Sequence, residues 1–280
     1  MTIVLRHCSL CLLLGGILAS AQTLGVMSFN VRYPAPTDGP NRWELRRDLL
    51  VETIREKAPD VIGTQELYYE QGEYIVSKLP EYTWFGISRR GNREDEHMGV
   101  FYRSARLRLL ESGNFWLSET PDTPGSMSWG ITLPRMVTWG LFELRDSGRR
   151  FCFYNTHFPH RREDHEARMN AARLIATRIS KLDPSLPFIM TGDFNAPAGG
   201  EVHQVFAGLL EDAWLRAARR TGPECTFGGF KGVTECPRID WILFRGPLRV
   251  LEAETVTRNW DGRYPSDHYP VFAVVEFAGH

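Results

Sequence analysis

Apolar and polar positions along this chain follow two periods. Residues 41–58, NRWELRRDLLVETIREKA, set Leu45 and Leu49, then Leu50 and Ile54, four apart, which predicts an amphipathic helix. Residues 162–182, REDHEARMNAARLIATRISKL, predict a second, with Met169, Ala172, Ile175, Ile179 and Leu182 on one face. Around them lie short runs rich in β-branched and aromatic residues: 24–33, 59–66, 99–103, 135–144, 149–158, 186–195, 238–244, 248–256 and 269–277. These read as strands. Turn-rich stretches at 33–41, 118–130 and 219–237 are too short and too mixed to be interdomain linkers. There is no internal repeat. Strands and helices interleave throughout, so the expectation is one α/β domain.

The first residues break this pattern. Arg6 and His7 precede the apolar run CSLCLLLGGILA, and Ala19-Ser20-Ala21 follows. A basic segment, an apolar stretch and an A-x-A site describe a cleavable secretory signal over residues 1–21. A spanning helix needs ~20 apolar residues, more than this run offers. A lipoprotein anchor would need a cysteine where Gln22 stands. The expectation is export to a periplasm or the medium, with the mature chain starting at Gln22 and no stable membrane insertion.

Net charge is −1 for the whole chain and −2 once Arg6 leaves with the signal. Proteins that grip duplex nucleic acid through many phosphates carry a basic excess; this chain has none. Cys152, Cys225 and Cys236 remain after cleavage. Cys152, inside RRFCFYN, reads as a buried free thiol. Cys225 and Cys236 bracket TFGGFKGVTE and are expected to pair in an oxidising compartment.

Polar residues gather where the strands run out. GVMSF ends in Asn30, DVIG in Gln65-Glu66, CFYN in Thr156-His157, FIMTG in Asp193 and Asn195; RI ends in Asp240, and Asp267-His268 precedes the last strand. Each alone reads equally well as a cap or a satisfied core group. Together they offer carboxylates, carboxamides and imidazoles without thiolates, a donor set for a hard cation such as Mg²⁺, Mn²⁺ or Ca²⁺. Asp193 and Asn195, two apart on an extended segment, point to one face.

The ordered set SFNVR, GTQEL, NTHF, GDFNAP, RIDWILF and SDHYPV resembles the endonuclease/exonuclease/phosphatase superfamily. Its branches include pancreatic-type deoxyribonucleases, inositol polyphosphate phosphatases, sphingomyelinases and deadenylases. The resemblance covers about residues 24–277 and assigns one such domain to 22–280. It implies a four-layer α/β sandwich, two mixed sheets face to face with helices outside, and a site at one end of the sheets. By motif, it makes Glu66 the principal Mg²⁺ ligand, helped by Asn30 and Asp267. Asp193 and Asn195 would hold the attacking water, the phosphate or a second metal. His268, oriented by Asp240, would contact the phosphate or act as general base. His157 would be general acid or phosphate ligand, supported by Glu96 of EHMGVFYR, and Arg135 of LPRMVTW would bind phosphate.

The activity so implied is metal-dependent hydrolysis of a phosphate mono- or diester of a small molecule, with an extracellular nuclease as the alternative. No obligate protein partner is implied. TFGGFKGV before RIDWIL resembles the deadenylase branch, and there Phe227 and Phe230 either stack on substrate or pack under their loop. Arg89, Arg90, Arg161 and Arg162 would form either a phosphate-attracting rim or plain solvated surface. No exposed aromatic hairpin of the sphingomyelinase kind stands out, although 113–131, with Phe115, Trp116 and Trp129, has room for one. Two rivals use the same residues. His157, His160 and His165 offer a zinc set, though not at H-E-x-x-H spacing. A catalytically dead binding domain should have lost one of Glu66, Asp193, Asp240 or His268, and all four are present.

Overall fold

The computed structural model describes residues 22–278. The predicted signal, 1–21, lies outside the described residues. In chain order the strands are β1 Thr23–Asn30, β2 Val61–Gln65, β3 Tyr82–Phe85, β4 Val100–Arg103, β5 Leu107–Trp116, β6 Met136–Leu144, β7 Arg150–His157, β8 Phe188–Asp193, β9 Glu211–Asp212, β10 Arg219–Thr221, β11 Asp240–Arg245, β12 Leu248–Thr255 and β13 Val271–Phe277. The helices are α1 Trp43–Lys57, α2 Tyr69–Lys78, α3 His165–Ile179, α4 Glu201–Gln204 and α5 Ala213–Arg216.

Two mixed sheets form, ordered β10-β12-β13-β1-β2-β4-β3 and β5-β6-β7-β8-β11-β9. The four-layer expectation holds. Each central strand is apolar on both faces, as a strand covered on both sides must be. Along β1, Leu24 and Val26 join the core between the sheets, while Met27 and Phe29 face α1 and α2. Along β8, Ile189 faces inward while Phe188 and Met190 pack under α3. Three hydrophobic layers result, one between the sheets and one beneath each helical layer.

The inner faces change character toward one end. On β7, Phe151 and Phe153 give way to Asn155 and His157; on β8, Ile189 gives way to Thr191 and Asp193. On β1 the same alternation runs from Leu24 and Val26 to Ser28 and Asn30. β11 runs antiparallel to β8 and so brings its first residue, Asp240, to that end. Register does the rest: His157 pairs with Asp193, Asp193 with Asp240, and Asn30 with Gln65.

Three local expectations can be compared with the structure. The stretch 113–131 holds no aromatic hairpin. Phe115 and Trp116 are the buried end of β5, Phe115 packing on Tyr154 and the Trp116 indole donating to the Arg89 carbonyl at 2.6 Å. Cys225 and Cys236 form the expected disulfide, and Cys152 is a buried free thiol. No helix of the described residues is long and apolar enough to cross a membrane.

Candidate active site

At the polar end of the sandwich a cleft of ≈ 550 Å³ opens, lined by Glu66, Glu96, Arg135, His157, Asp193, Asn195, Asp267 and His268 among others. Asn30 and Asp240 stand directly behind it. The Asn30 amide donates to Glu66 Oε1 at 3.1 Å and to Asp193 Oδ2 at 3.0 Å. Asp240 Oδ2 meets His268 Nδ1 at 2.9 Å. All ten residues named from the sequence therefore converge. A larger groove of ≈ 630 Å³ runs between the outer face of the second sheet and α3, but its walls are chiefly apolar and it shares no residue with this cleft.

Asp193 is the hub. Its Oδ2 lies 3.4 Å from His157 Nε2 and 3.8 Å from His268 Nε2, between the two imidazoles. Its Oδ1 accepts the Asn195 backbone N–H at 3.0 Å. Burial, and then the nearby Asp240 carboxylate, push Asp193 up to about 7. The two histidines are driven apart. Burial, with Arg135 and Arg89 close by, holds His157 well below its ordinary range, so it is a neutral imidazole. Burial also disfavours charge on His268, but Asp240, Asp193 and Asp267 outweigh it and hold it protonated. One fold thus supplies an imidazole and an imidazolium on either side of one carboxylate.

Glu66 and Asp267 face each other across Arg32, whose guanidinium lies 3.8 Å from each carboxylate. Glu66 is further held by the Tyr33 backbone N–H at 3.2 Å. Two carboxylates converging on one point offer the oxygen ligands that a hard divalent cation takes, and in this structure the Arg32 guanidinium balances their charge. A tighter group, Asp193, Asp240 and His268, also brings one ligand atom from each within 4.8 Å. There, however, His268 Nδ1 is already bonded to Asp240, so that group works first as a hydrogen-bonded dyad.

Strain collects here. Arg32, Glu66 and Asn195 all have positive φ, at 56°, 58° and 48°. For residues other than glycine such backbone costs ~1–3 kcal/mol and persists where surroundings fix it. At Glu66 it ends β2 and turns the carboxylate toward Asn30.

Several residues near the site escaped the sequence reading. Arg32 pairs with Asp38 at 2.8 Å and lies over the Tyr33 ring; Tyr33 in turn stacks on Tyr68, and all three line the cleft. Of the four arginines read as either a rim or solvated surface, only Arg89 reaches the cleft. It is buried, donating to Glu96 at 2.7 Å, whereas Arg90 pairs with Asp95 and Arg161 with Asp164. Glu96 approaches His157 Nδ1 only to 3.9 Å, so its first partner is Arg89 rather than the histidine. Burial pushes Glu96 up to about 7 against the pull of Arg135. The three histidines of the zinc reading do not meet: His160 contacts Arg135 at 3.1 Å and His165 contacts Glu201 at 2.8 Å. Phe227 lines the cleft edge-on to His268, at 4.9 Å, whereas Phe230 packs near Arg46.

The sequence profile of the Endonuclease/Exonuclease/phosphatase family matches residues 27–268, which spans every residue just described. The chain belongs to the endonuclease/exonuclease/phosphatase family. Enzymes of this family depend on a metal, hydrolyse phosphoester bonds, and act on phosphorylated substrates or nucleic acids. A family member from Bacteroides thetaiotaomicron superposes with a TM-score of 0.88 at 31% identity, covering 93% of this chain and 100% of that one. A mannosyl-6-phosphatase of Bacteroides thetaiotaomicron VPI-5482 superposes with a TM-score of 0.86 at 32% identity, covering 90% and 99%. Rat (Rattus norvegicus) Nocturnin is 25% identical over 90% of this chain, and the match spans 64% of Nocturnin's own length.

Proposed function

We propose that this protein is an exported phosphomonoesterase acting on a small phosphorylated sugar with the help of Mg²⁺. One observation carries the reading: two carboxylates that converge on the Arg32 guanidinium stand beside a carboxylate set between an imidazole and an imidazolium, in a cleft of ≈ 550 Å³. That size suits a compact ligand. Likeness to a mannosyl-6-phosphatase and the absence of net positive charge support a sugar phosphate over a nucleic acid. The predicted signal over residues 1–21 supports export, to a periplasm or the medium.

Glu66 and Asp267, with Asn30 orienting Glu66, would hold the metal. When bound, the cation neutralises the non-bridging oxygens and acidifies water. The protein's own groups then have distinct tasks. Arg135 and the His268 imidazolium bind the phosphate oxygens, and Asp240 fixes the His268 ring. Asp193 and Asn195 hold the attacking water, and Asp193 takes its proton as a new P–O bond forms. His157, neutral and 3.4 Å from Asp193, receives that proton and delivers it to the sugar oxygen as the old P–O bond breaks. Glu96 and Arg89 set the position of Arg135 and His157.

A nuclease is the second reading, favoured by the Phe227 ring, 44% exposed beside His268, where a base could stack. The deciding experiment assays the mature chain, with Mg²⁺ and with chelator, on mannose 6-phosphate, bis(p-nitrophenyl) phosphate, plasmid and single-stranded RNA. Chelator-sensitive turnover of the sugar phosphate alone, lost in His268→Ala, is expected. Cleavage of nucleic acid with no release of phosphate from the sugar ester would replace this reading with the second.

A further inference from the structure

Beside the catalytic cleft lies another, of ≈ 450 Å³, that the chemistry above does not use. Tyr69, Trp84 and His97 wall it, with the exposed side chains of Glu73, Asn92 and Arg93 completing it. Its aromatic wall is built with care. Trp84 lies flat on Phe101, ring centroids 5.6 Å and planes 19° apart, and its indole N–H donates to Glu73 Oε1 at 3.1 Å. Gly72 leaves the space the indole fills: a Cβ there would lie 2.6 Å from Trp84 Cζ2. Glycine inside a helix costs ~0.5–1 kcal/mol, so α2 gives up stability to seat this ring. Tyr69 and His97 close two further sides, each ring centroid 5.7 Å from that of Trp84. His97 is pinned at Nδ1, 2.8 Å from the Asp95 carbonyl; a carbonyl only accepts, so Nδ1 carries the proton and Nε2 is an acceptor.

Charge narrows the guest. The Arg93 guanidinium already covers the Tyr69 face at 5.0 Å and would repel a second cation. The Glu73 carboxylate opposes an anion. A neutral molecule remains, one with an apolar face for the aromatic wall and a fringe of hydroxyls. A pyranose has both: its C–H face rests on the rings while its hydroxyls donate to Glu73 and accept from Asn92 and Arg93.

Position ties this cleft to the reaction. Tyr68 and Glu96 line the catalytic cleft, and the very next residues, Tyr69 and His97, line this one. Neighbouring Cα atoms are ~3.8 Å apart, so the shared wall is one chain thick. Isolated bridges from Leu67 and Ser88 to His97 make that wall rigid. We propose that the Tyr69–Trp84–His97 cleft is a carbohydrate subsite, binding an unphosphorylated hexose of a glycan whose phosphorylated hexose occupies the catalytic cleft. The link to a phosphorylated glycan rests on the sugar-phosphate reading above; the neutral-sugar site does not.

The test compares mannose 6-phosphate with a mannotriose phosphorylated on O6 of one terminal residue, using Mg²⁺-loaded enzyme. Phosphate-free mannotriose is titrated separately against tryptophan fluorescence. The phosphorylated trisaccharide should show a KM about tenfold below that of the monosaccharide, the scale of one aromatic contact plus a hydrogen bond. Glu73→Ala, which removes the ligand's carboxylate partner and the acceptor of the Trp84 N–H but spares the Trp84–Phe101 stack, should erase that advantage by raising KM for the trisaccharide at constant kcat, with both constants for mannose 6-phosphate unmoved. The phosphate-free sugar should change the fluorescence saturably, and Trp84→Phe, which keeps the stack on Phe101, should abolish the change. Equal KM values for the two esters, or equal losses on both in Glu73→Ala, would overturn the subsite. Saturable mannotriose binding without turnover of either ester would keep the subsite and sink the sugar-phosphate reading. Turnover of both esters without mannotriose binding would sink the subsite alone.

Discussion

Asp193 shows how much a single side chain gives up for chemistry. It is buried, faces Asp240 across the strand pair, and its proton affinity is raised to about 7. An acid whose folded pKa exceeds its unfolded value destabilises the fold as pH climbs from the unfolded value to the folded one. The unfolded value is near 3.8, so below it the penalty vanishes and above about 7 it is fully developed. Asp193→Asn should therefore raise the melting temperature of chelator-treated protein at pH 8, by a gain on the order of a few kcal/mol, and leave it nearly unchanged at pH 4. Calorimetry at both pH values checks this. The same variant should lower kcat at least about a thousandfold, as loss of a proton acceptor does. A variant no more stable at pH 8 than the wild type would show that Asp193 is not carrying a buried charge. Its place in the cleft was legible because GDFN stands at the end of an apolar strand. Arg32 and Arg89 were not legible in the same way. A guanidinium in a sequence says nothing of which carboxylate it will meet, and Arg89 meets Glu96 only because the loop from 86 to 97 folds back on itself.

Among the elements, those with a strong period were readable and those without were not. The helices over 43–57 and 165–179 carry apolar stripes, and the central strands are unbroken apolar runs. α2 is short and carries Gly72 in its interior, a helix-weakening residue whose reason is the Trp84 ring against it. β3 is a four-residue edge strand. β5 has a half-exposed, charge-bearing middle and a Gly113 pressed against the Trp139 indole, so its polar pattern carries no strand signal. The segment 219–237 also reads as loop, correctly for the most part, yet it does structural work that its composition hides. Thr226 Oγ1 accepts the backbone N–H groups of Ile239 at 3.0 Å and Asp240 at 3.1 Å, and its carbonyl accepts the N–H of Tyr269 at 2.7 Å. The Cys225–Cys236 disulfide closes this loop next to those contacts. Closing so short a loop is worth about 3 kcal/mol at most by chain entropy. The double variant Cys225→Ser/Cys236→Ser should lose up to that amount in urea unfolding and lose about tenfold in kcat, because the Asp240–His268 dyad loses its brace. Thr226→Ser should retain activity and Thr226→Val should not. Equal activity of the two Thr226 variants would mean that the loop stabilises the fold without positioning the dyad.

For the molecule as a whole, the decisive feature is how the two sheets come together beneath the site. Sheets packed through side chains stand ≈ 10 Å apart, but here a buried polar layer links them directly. The Gln65 amide donates to Asn155 Oδ1 at 2.7 Å, Thr191 Oγ1 donates to the same oxygen at 3.1 Å, and the Asn155 amide donates to the Thr64 carbonyl at 2.7 Å. The Gln65–Asn155 and Asn155–Thr64 bonds run between the sheets, and Asn155 and Thr191 each stand two residues before His157 and Asp193 on their strands. Gly63 makes the approach possible: a Cβ there would collide with Thr191 Oγ1 and lie 2.5 Å from Asn155 Oδ1. Because Glu66 and the loop carrying Asp267 and His268 hang from the first sheet, and His157, Asp193 and Asp240 from the second, the candidate site spans both sheets and depends on how they meet here. Gly63→Ala should therefore cost stability in the range of about 1–3 kcal/mol for overpacking. It should also lower kcat on the order of a hundredfold, the penalty for a misplacement near 1 Å, although no residue of the cleft is changed. Urea unfolding paired with steady-state kinetics separates the two effects. Destabilisation with full activity at low temperature would show that the halves of the site keep their alignment without the polar layer, and the sheets' outer connections would then have to account for it.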